Sequence, residues 1–313
     1  MLIYSQIKIQ AGTLCDRVDS SYITKIDGWC NQRYTDIVNR RPWMALLRQI
    51  EVSCVSGQNY IILPQEVDQV IDVHQRTTPI IVALRRYYNR LNGNLAGYAD
   101  SGPPVEMNPM GIVGVKTALP STTTITVESS SASDITQSIR VHGYNSSKLP
   151  VTELVALSGT SAIPSITTLN STEGYEPQFS KSAVTEGIIT IKCGSTTIAE
   201  IGPRDLTVRY MKWLVNPTPS SSTTLYLTFK KRTRKLEYDE DVPEIECENA
   251  LISGAFAQAL SKKRQFAKAQ VEWEGYEAAI AVLTEREPKF SENFNDQWVP
   301  VIQRHPIDQM NQG

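Results

Sequence analysis

The chain has 313 residues, of which 20% are charged, with a formal net charge of −2. That length is comfortable for two domains and ample for burying real cores. A protein that grips nucleic acid by neutralising phosphates carries a clear basic excess, so tight, sequence-specific nucleic-acid binding is not expected.

The opening MLIYSQIKIQ has no basic run followed by an apolar run, so a signal peptide is not expected. No stretch approaches the roughly 18 apolar residues of a membrane span. The expectation is a soluble protein made in the cytoplasm. Residues 1–45 read as helical. Tyr22, Ile26, Trp29, Arg33 and Ile37 recur at helical spacing, flanked by Ile23, Cys30, Tyr34 and Val38, which makes one wide apolar stripe. Asp19, Ser20 and Ser21 are N-cap candidates. Pro42 should stop the helix, because it lacks an amide hydrogen and disfavours helix in the residue before it. Trp43, Met44, Leu46 and Leu47 follow as an apolar anchor.

Residues 48–74 alternate like strands, through Ile50, Val52 and Cys54, then Tyr60 to Leu63, then Val67 to Val73. Turn residues Ser56 to Asn59 separate the first two runs. Residues 79–92 return to helical spacing, and a Gly- and Pro-containing loop follows over 97–111. From 112 to 229 Ser and Thr dominate, charge thins out and short period-two runs recur, as in Ile125/Val127, Ile139/Val141, Val151/Val155/Leu157, Ile189/Ile191/Cys193, Val208/Tyr210/Lys212 and Leu225/Leu227/Phe229. That pattern predicts an antiparallel β-sandwich. A charged hinge over 230–243 runs from Lys230, Lys231, Arg232, Arg234 and Lys235 to Glu237, Asp239, Glu240 and Asp241. Its basic run suits a solvated strand edge or an intersubunit contact better than DNA.

The clearest periodicity lies over 244–286, read as one long helix. Ile252, Ala255, Ala259, Phe266, Ala269, Trp273, Tyr276, Ile280 and Leu283 form one stripe, and Phe256, Leu260, Ala267, Val271, Ala278 and Val282 form a second. A surface helix of a monomer needs a single apolar face. Two faces are met either by a helix central to its own domain or by one that also packs on a neighbouring subunit. Phe256, Leu260, Phe266, Val271, Trp273 and Tyr276 are the candidate intersubunit residues. The segment 287–313 reads as an extended tail whose large residues Phe290, Phe294, Trp298 and Ile302 are candidate partner-docking anchors.

Chemistry-bearing patterns are weak throughout. His74, His142 and His305 lie in no metal-ligand spacing, and no G-x-S-x-G, Walker A or GxGxxG motif occurs. Cys15, Cys30, Cys54, Cys193 and Cys247 are odd in number, scattered and without a CxxC, which predicts buried or half-buried thiols rather than a disulfide framework or zinc site. No catalytic residue, cofactor or metal is expected.

Taken in order, Trp29, Tyr34, Pro42-Trp43 and Leu46, then Gln58-Asn59-Tyr60 and Leu63-Pro64, then Asp241-Val242-Pro243 leading into Gly254-Ala255, Ala257, Ala259-Leu260 and Tyr276, resemble the head-to-tail adaptor (connector) proteins of tailed double-stranded DNA bacteriophages. Val151 to Thr160 and Thr185 to Ile191 look like immunoglobulin-like β modules inserted in phage structural proteins. The resemblance implies an α+β chain with a helical ring-forming core of 1–111 and 230–286 that carries a small β element, and an inserted antiparallel β-sandwich of 112–229. It also implies a virion protein of the neck, forming a ring, commonly of twelve copies. Such a ring binds the portal protein, meets downstream tail, nozzle or fibre proteins and surrounds packaged DNA without a membrane. Other virion parts (collar, nozzle or tail tube) fit the same logic. A carbohydrate-binding adhesin is a further alternative, and would use aromatic platforms drawn from Tyr210, Trp213 and Tyr226.

Overall fold

The structure is a computed structural model and describes residues 1–17, 19–75, 78–82, 101–172 and 174–287. It is a mixed protein of helices and mostly antiparallel sheets, in keeping with the α+β expectation. The chain divides into two compact units, Met1–Leu47 with Thr233–Gly313, and Arg48–Arg232. No helix among the described residues is long and apolar enough to cross a membrane.

Among the described residues, four α-helices build the first unit: α1 (Tyr4–Leu14), α2 (Ser20–Arg40), α3 (Glu248–Lys262) and α4 (Phe266–Arg286). Asp19 caps α2 by accepting a hydrogen bond from the Tyr22 amide at 3.0 Å, satisfying a donor that a helix start leaves orphaned. α2 ends at Arg40, and Arg41 is extended, as a residue before proline prefers. Trp43 then folds back into the core at 1% exposure, its indole N–H donating to the Ile37 carbonyl at 2.7 Å. The anchor read from sequence is therefore present. The N-cap of α1, Ile3, offers no capping side chain, and the Gln6 side chain accepts only the Ile3 amide at 3.3 Å. Instead its Tyr4 and Ser5 amides donate to the carbonyls of Asp241 and Asp239 at 2.7 and 3.0 Å. Asn31 on α2 holds the approach to α3 by a two-way clamp, donating to the Leu236 carbonyl (2.9 Å) and accepting from the Leu236 amide (2.8 Å). Buried residues of all four helices, including Ile7, Ile26, Leu251 and Tyr276, share one core.

The single long helix expected over 244–286 is two helices. Lys263, Arg264 and Gln265 break it, with Arg264 in the left-handed region at φ +60°. The Gln265 amide donates to the Leu260 carbonyl (3.0 Å) and the Arg264 amide to the Ser261 carbonyl (3.1 Å). These are the two bonds of a Schellman stop. Glycine usually marks that stop. An arginine fills it here, so periodicity alone reads straight through.

The second unit contains strands β1 (Leu47–Cys54, whose first residue is counted with the first unit), β2 (Tyr60–Leu63), β3 (Val67–Gln75), β4 (Thr78–Pro79), β5 (Ile81–Val82), β6 (Ser101–Gly102), β7 (Glu106–Val113), β8 (Thr126–Ser129) and β9 (Ser138–Tyr144). It continues with β10 (Pro150–Ala156), β11 (Ile163–Pro164), β12 (Gln178–Lys181), β13 (Ile189–Cys193), β14 (Thr196–Ile201), β15 (Tyr210–Asn216), β16 (Thr218–Pro219) and β17 (Thr223–Lys231). Two sheets, β10-β9-β12 and β11-β8-β13-β14, enclose one core of Val127, Val141, Phe179, Ile191 and their neighbours. Two others, β1-β17-β3-β4 and β2-β15-β7-β5, enclose another that includes Leu63, Val73, Trp213 and Phe229.

The expected boundary at residue 112 falls inside this unit. Strands of 48–75, placed by sequence with the helical part, pair with the last strands of the chain's β region: Val70 lies opposite Phe229 and Ile61 opposite Trp213. Partners so far apart in sequence leave no local pattern to read. The helix expected over 79–92 is not present at its start, where β4 and β5 lie. Residues 83–92 of that expectation lie outside the described residues.

Candidate assembly surface

α4 is held against α2 by a compact polar cluster. The Tyr276 hydroxyl donates to Asp36 Oδ2 at 2.5 Å. Arg40 makes a two-pronged contact with Glu277, at 2.6 and 2.8 Å, and also donates to Asp36 at 2.9 Å. The Arg33 guanidinium lies over the Trp273 ring, 5.0 Å from its centroid. Burial works against charge on Asp36, but the Tyr276 hydroxyl, Arg40 and Arg33 outweigh it and hold its pKa below the ordinary carboxylate value. Gly254 on α3 admits this packing: a Cβ there would sit 2.9 Å from both the Tyr276 ring and the Arg33 side chain.

These contacts use one face of α4. Ala269, Tyr276 and Ile280 are buried, and Trp273 and Leu283 are half-buried against the same core. The opposite face is uncovered. Phe266 is 67% exposed, Val271 64% and Val282 46%, with Ala267, Gly275 and Ala278 exposed between them. The six residues singled out from sequence thus divide. Leu260 and Tyr276 are buried, and Phe256 and Trp273 pack partly on the unit's own core, whereas Phe266 and Val271 face outward. The break at Arg264 causes the division, because it ends the common register of the two stripes. The tail residues Phe290, Phe294, Trp298 and Ile302 lie outside the described residues.

The other candidates have structural employment. Lys230 is 4% exposed, its ammonium 3.4 Å from Asp68. Asp239 pairs with Lys8 at 2.8 Å, and Asp241 accepts from the Glu237 and Tyr238 amides. His142 bonds the Thr152 hydroxyl at 2.9 Å, and His74 stacks on Tyr226, while His305 lies outside the described residues. All five cysteines are free and buried, as expected; burial lifts the Cys30 and Cys247 thiols to about 12. Tyr210 and Trp213 are core residues at 4% and 5% exposure. Tyr226 lines a shallow cleft with Ser53, Gln75 and Thr223. Among the described residues no group of three or more His, Cys, Asp or Glu side chains could hold a metal ion.

Sequence reasoning missed the network around Asp134. This fully buried carboxylate accepts from the Ser129 hydroxyl (2.5 Å) and the Glu186 and Gly187 amides (2.9 and 3.0 Å). Burial opposes its charge, yet those bonds and nearby Lys181 hold its pKa below the ordinary value. It ties a loop within the β unit, and its segment Ser129–Asp134 read from sequence only as part of the Ser- and Thr-dominated stretch.

No protein-family model matches the chain. No curated protein is similar to it at a significant level.

Proposed function

We propose that the chain is a structural virion protein, a subunit of the head-to-tail adaptor ring beneath the portal of a tailed double-stranded DNA bacteriophage. The observation that carries the assembly part of this reading is the apolar face of α4 that stands exposed among the described residues, on a helical unit that joins Met1–Leu47 to a segment beginning at Thr233. A contiguous exposed apolar surface is costly in a solitary protein and marks a contact with another chain. The portal, the neck position and a copy number near twelve rest on the sequence resemblance. We read the two sheets over one core in 113–210 as an immunoglobulin-like sandwich carried by the ring. Another neck or tail component is the nearest alternative. The adhesin reading is weaker, because two of its three aromatic candidates are core residues.

The mechanism is assembly by many weak contacts, each reinforced by the rest of a closed ring. Its test is deletion of residues 288–313, which carry Phe290, Phe294, Trp298 and Ile302. The truncated subunit should keep its circular dichroism spectrum and lose portal binding in co-sedimentation. Normal binding by the truncated subunit removes the tail from the docking mechanism.

A further inference from the structure

We infer that Glu106, Asn108 and Asn216 form a calcium-binding site on the face of the β2-β15-β7-β5 sheet that turns away from its hydrophobic core. Met107, Trp213 and Val215 alternate with them along β7 and β15 and enter that core. Successive side chains of a strand point to opposite faces, so Glu106, Asn108, Leu214 and Asn216 share the other one. Glu106 lies directly opposite Asn216, and Asn108 directly opposite Leu214. Side chains directly opposite start about 5 Å apart, and those two residues apart on one strand start roughly 7 Å apart. The three polar side chains therefore converge on one place, two from β7 and one from β15.

These side chains lack partners. Asn108 is fully buried, yet neither its carboxamide oxygen nor its nitrogen has a hydrogen-bond partner. The side-chain oxygen of Asn216 is likewise buried without one. Glu106 is half-buried, and among the described residues its carboxylate meets neither a donor nor a cation. Buried polar atoms are nearly always paired, and a group left over marks a water or an ion. Here a carboxylate and two carboxamide oxygens, all acceptors, face a single donor group, the Asn108 amide. That imbalance asks for positive charge. The cation on the same face of β15, Lys212, is already used: its ammonium lies 3.1 Å from Glu176 and 4.3 Å from the centre of the Tyr60 ring. Tyr60 belongs to β2, which flanks β15 on the side away from β7.

The donor atoms select the ion. Oxygen ligands suit a hard cation, whereas zinc and copper take the imidazole and thiolate that these three residues do not offer. Calcium accepts carboxamide and carboxylate oxygens in a flexible shell of about six to eight, and water fills the positions that the protein leaves. Magnesium demands a smaller, near-ideal octahedron. With one carboxylate the site is weak, with a dissociation constant of about 1 mM, at the weak end of calcium modules.

The test is the thermal melt of the full-length protein in EDTA and in calcium chloride. At about 10 mM, calcium should raise the melting temperature by about 3–5 °C, and equilibrium dialysis should find one ion per chain. Glu106→Gln keeps the side-chain shape and removes the charge. It should melt like the parent in EDTA and lose the calcium shift. Asn108→Asp places a second carboxylate beside Glu106. It should be less stable than the parent in EDTA and bind calcium at least about tenfold more tightly, a rescue that a buried water cannot give. A parent that binds no calcium at that concentration overturns the inference in favour of ordered water at Asn108. A full shift retained by Glu106→Gln puts the ion elsewhere and overturns it, and an equal shift with magnesium overturns the assignment to calcium.

Discussion

Replacing Tyr276 by phenylalanine removes one hydroxyl from the joint between α2 and α4 and leaves the ring in place. The lost bond is short, 2.5 Å, and its acceptor Asp36 is charged. Hydrogen bonds to charged groups contribute about 1.5–3 kcal/mol. The Asp36 side chain is 40% exposed and keeps Arg40 at 2.9 Å, so water and that guanidinium recover part of the loss, and about 1 kcal/mol remains. The sign with pH follows from Asp36, whose pKa in the folded state is depressed. Its contribution is present above the unfolded value near 4 and is lost as pH falls through the folded value. Urea denaturation followed at 222 nm, which reports the helices, should therefore show Tyr276→Phe destabilised at pH 7, with a smaller gap at pH 2.5. A variant as stable as the parent at pH 7, or one with the same deficit at both pH values, refutes this account of the joint.

Gly254→Val should destabilise the helical unit by about 2 kcal/mol, because even its Cβ would meet the buried Tyr276 ring at 2.9 Å and overpacking costs about 1–3 kcal/mol; an unchanged helical melt contradicts the close approach of α3 and α4. Asp134→Ala should lower the stability of the β unit by about 3 kcal/mol by orphaning buried amide donors, read from Trp213 emission with the other tryptophans replaced by phenylalanine; a loss below about 1 kcal/mol denies that carboxylate its tying role. Asn108 is fully buried, and neither polar atom of its side chain has a partner among the described residues. Asn108→Leu should therefore raise the melting temperature, and a fall of several degrees would reveal a partner for the carboxamide.

Local pattern carried much of this fold. The stripe from Tyr22 to Val38, the stop at Pro42, the Trp43 anchor and strands such as Ile189–Cys193 are all present because each is decided by neighbours close in sequence. Two features were not readable that way. The pairing of Val70 with Phe229 joins strands more than 150 residues apart, and alternation says which face is buried but not which strand is next door. The corner at Arg264 needs φ +60°, and an arginine there carries none of the glycine signal that marks such a stop. The assembly surface was half readable for the same reason. The two apolar stripes were visible, but only the corner decides that Leu260 and Tyr276 turn inward while Val271 turns out.

The most direct test of the assembly account is the native mass of the full-length protein, alone and mixed with a purified phage portal ring. The account predicts a species near the 34.9 kDa chain mass alone. With portal it predicts a complex heavier by many copies of the chain, about 420 kDa if the ring holds twelve. A chain that stays monomeric at every concentration, adds no mass to the portal and binds a glycan instead would contradict it.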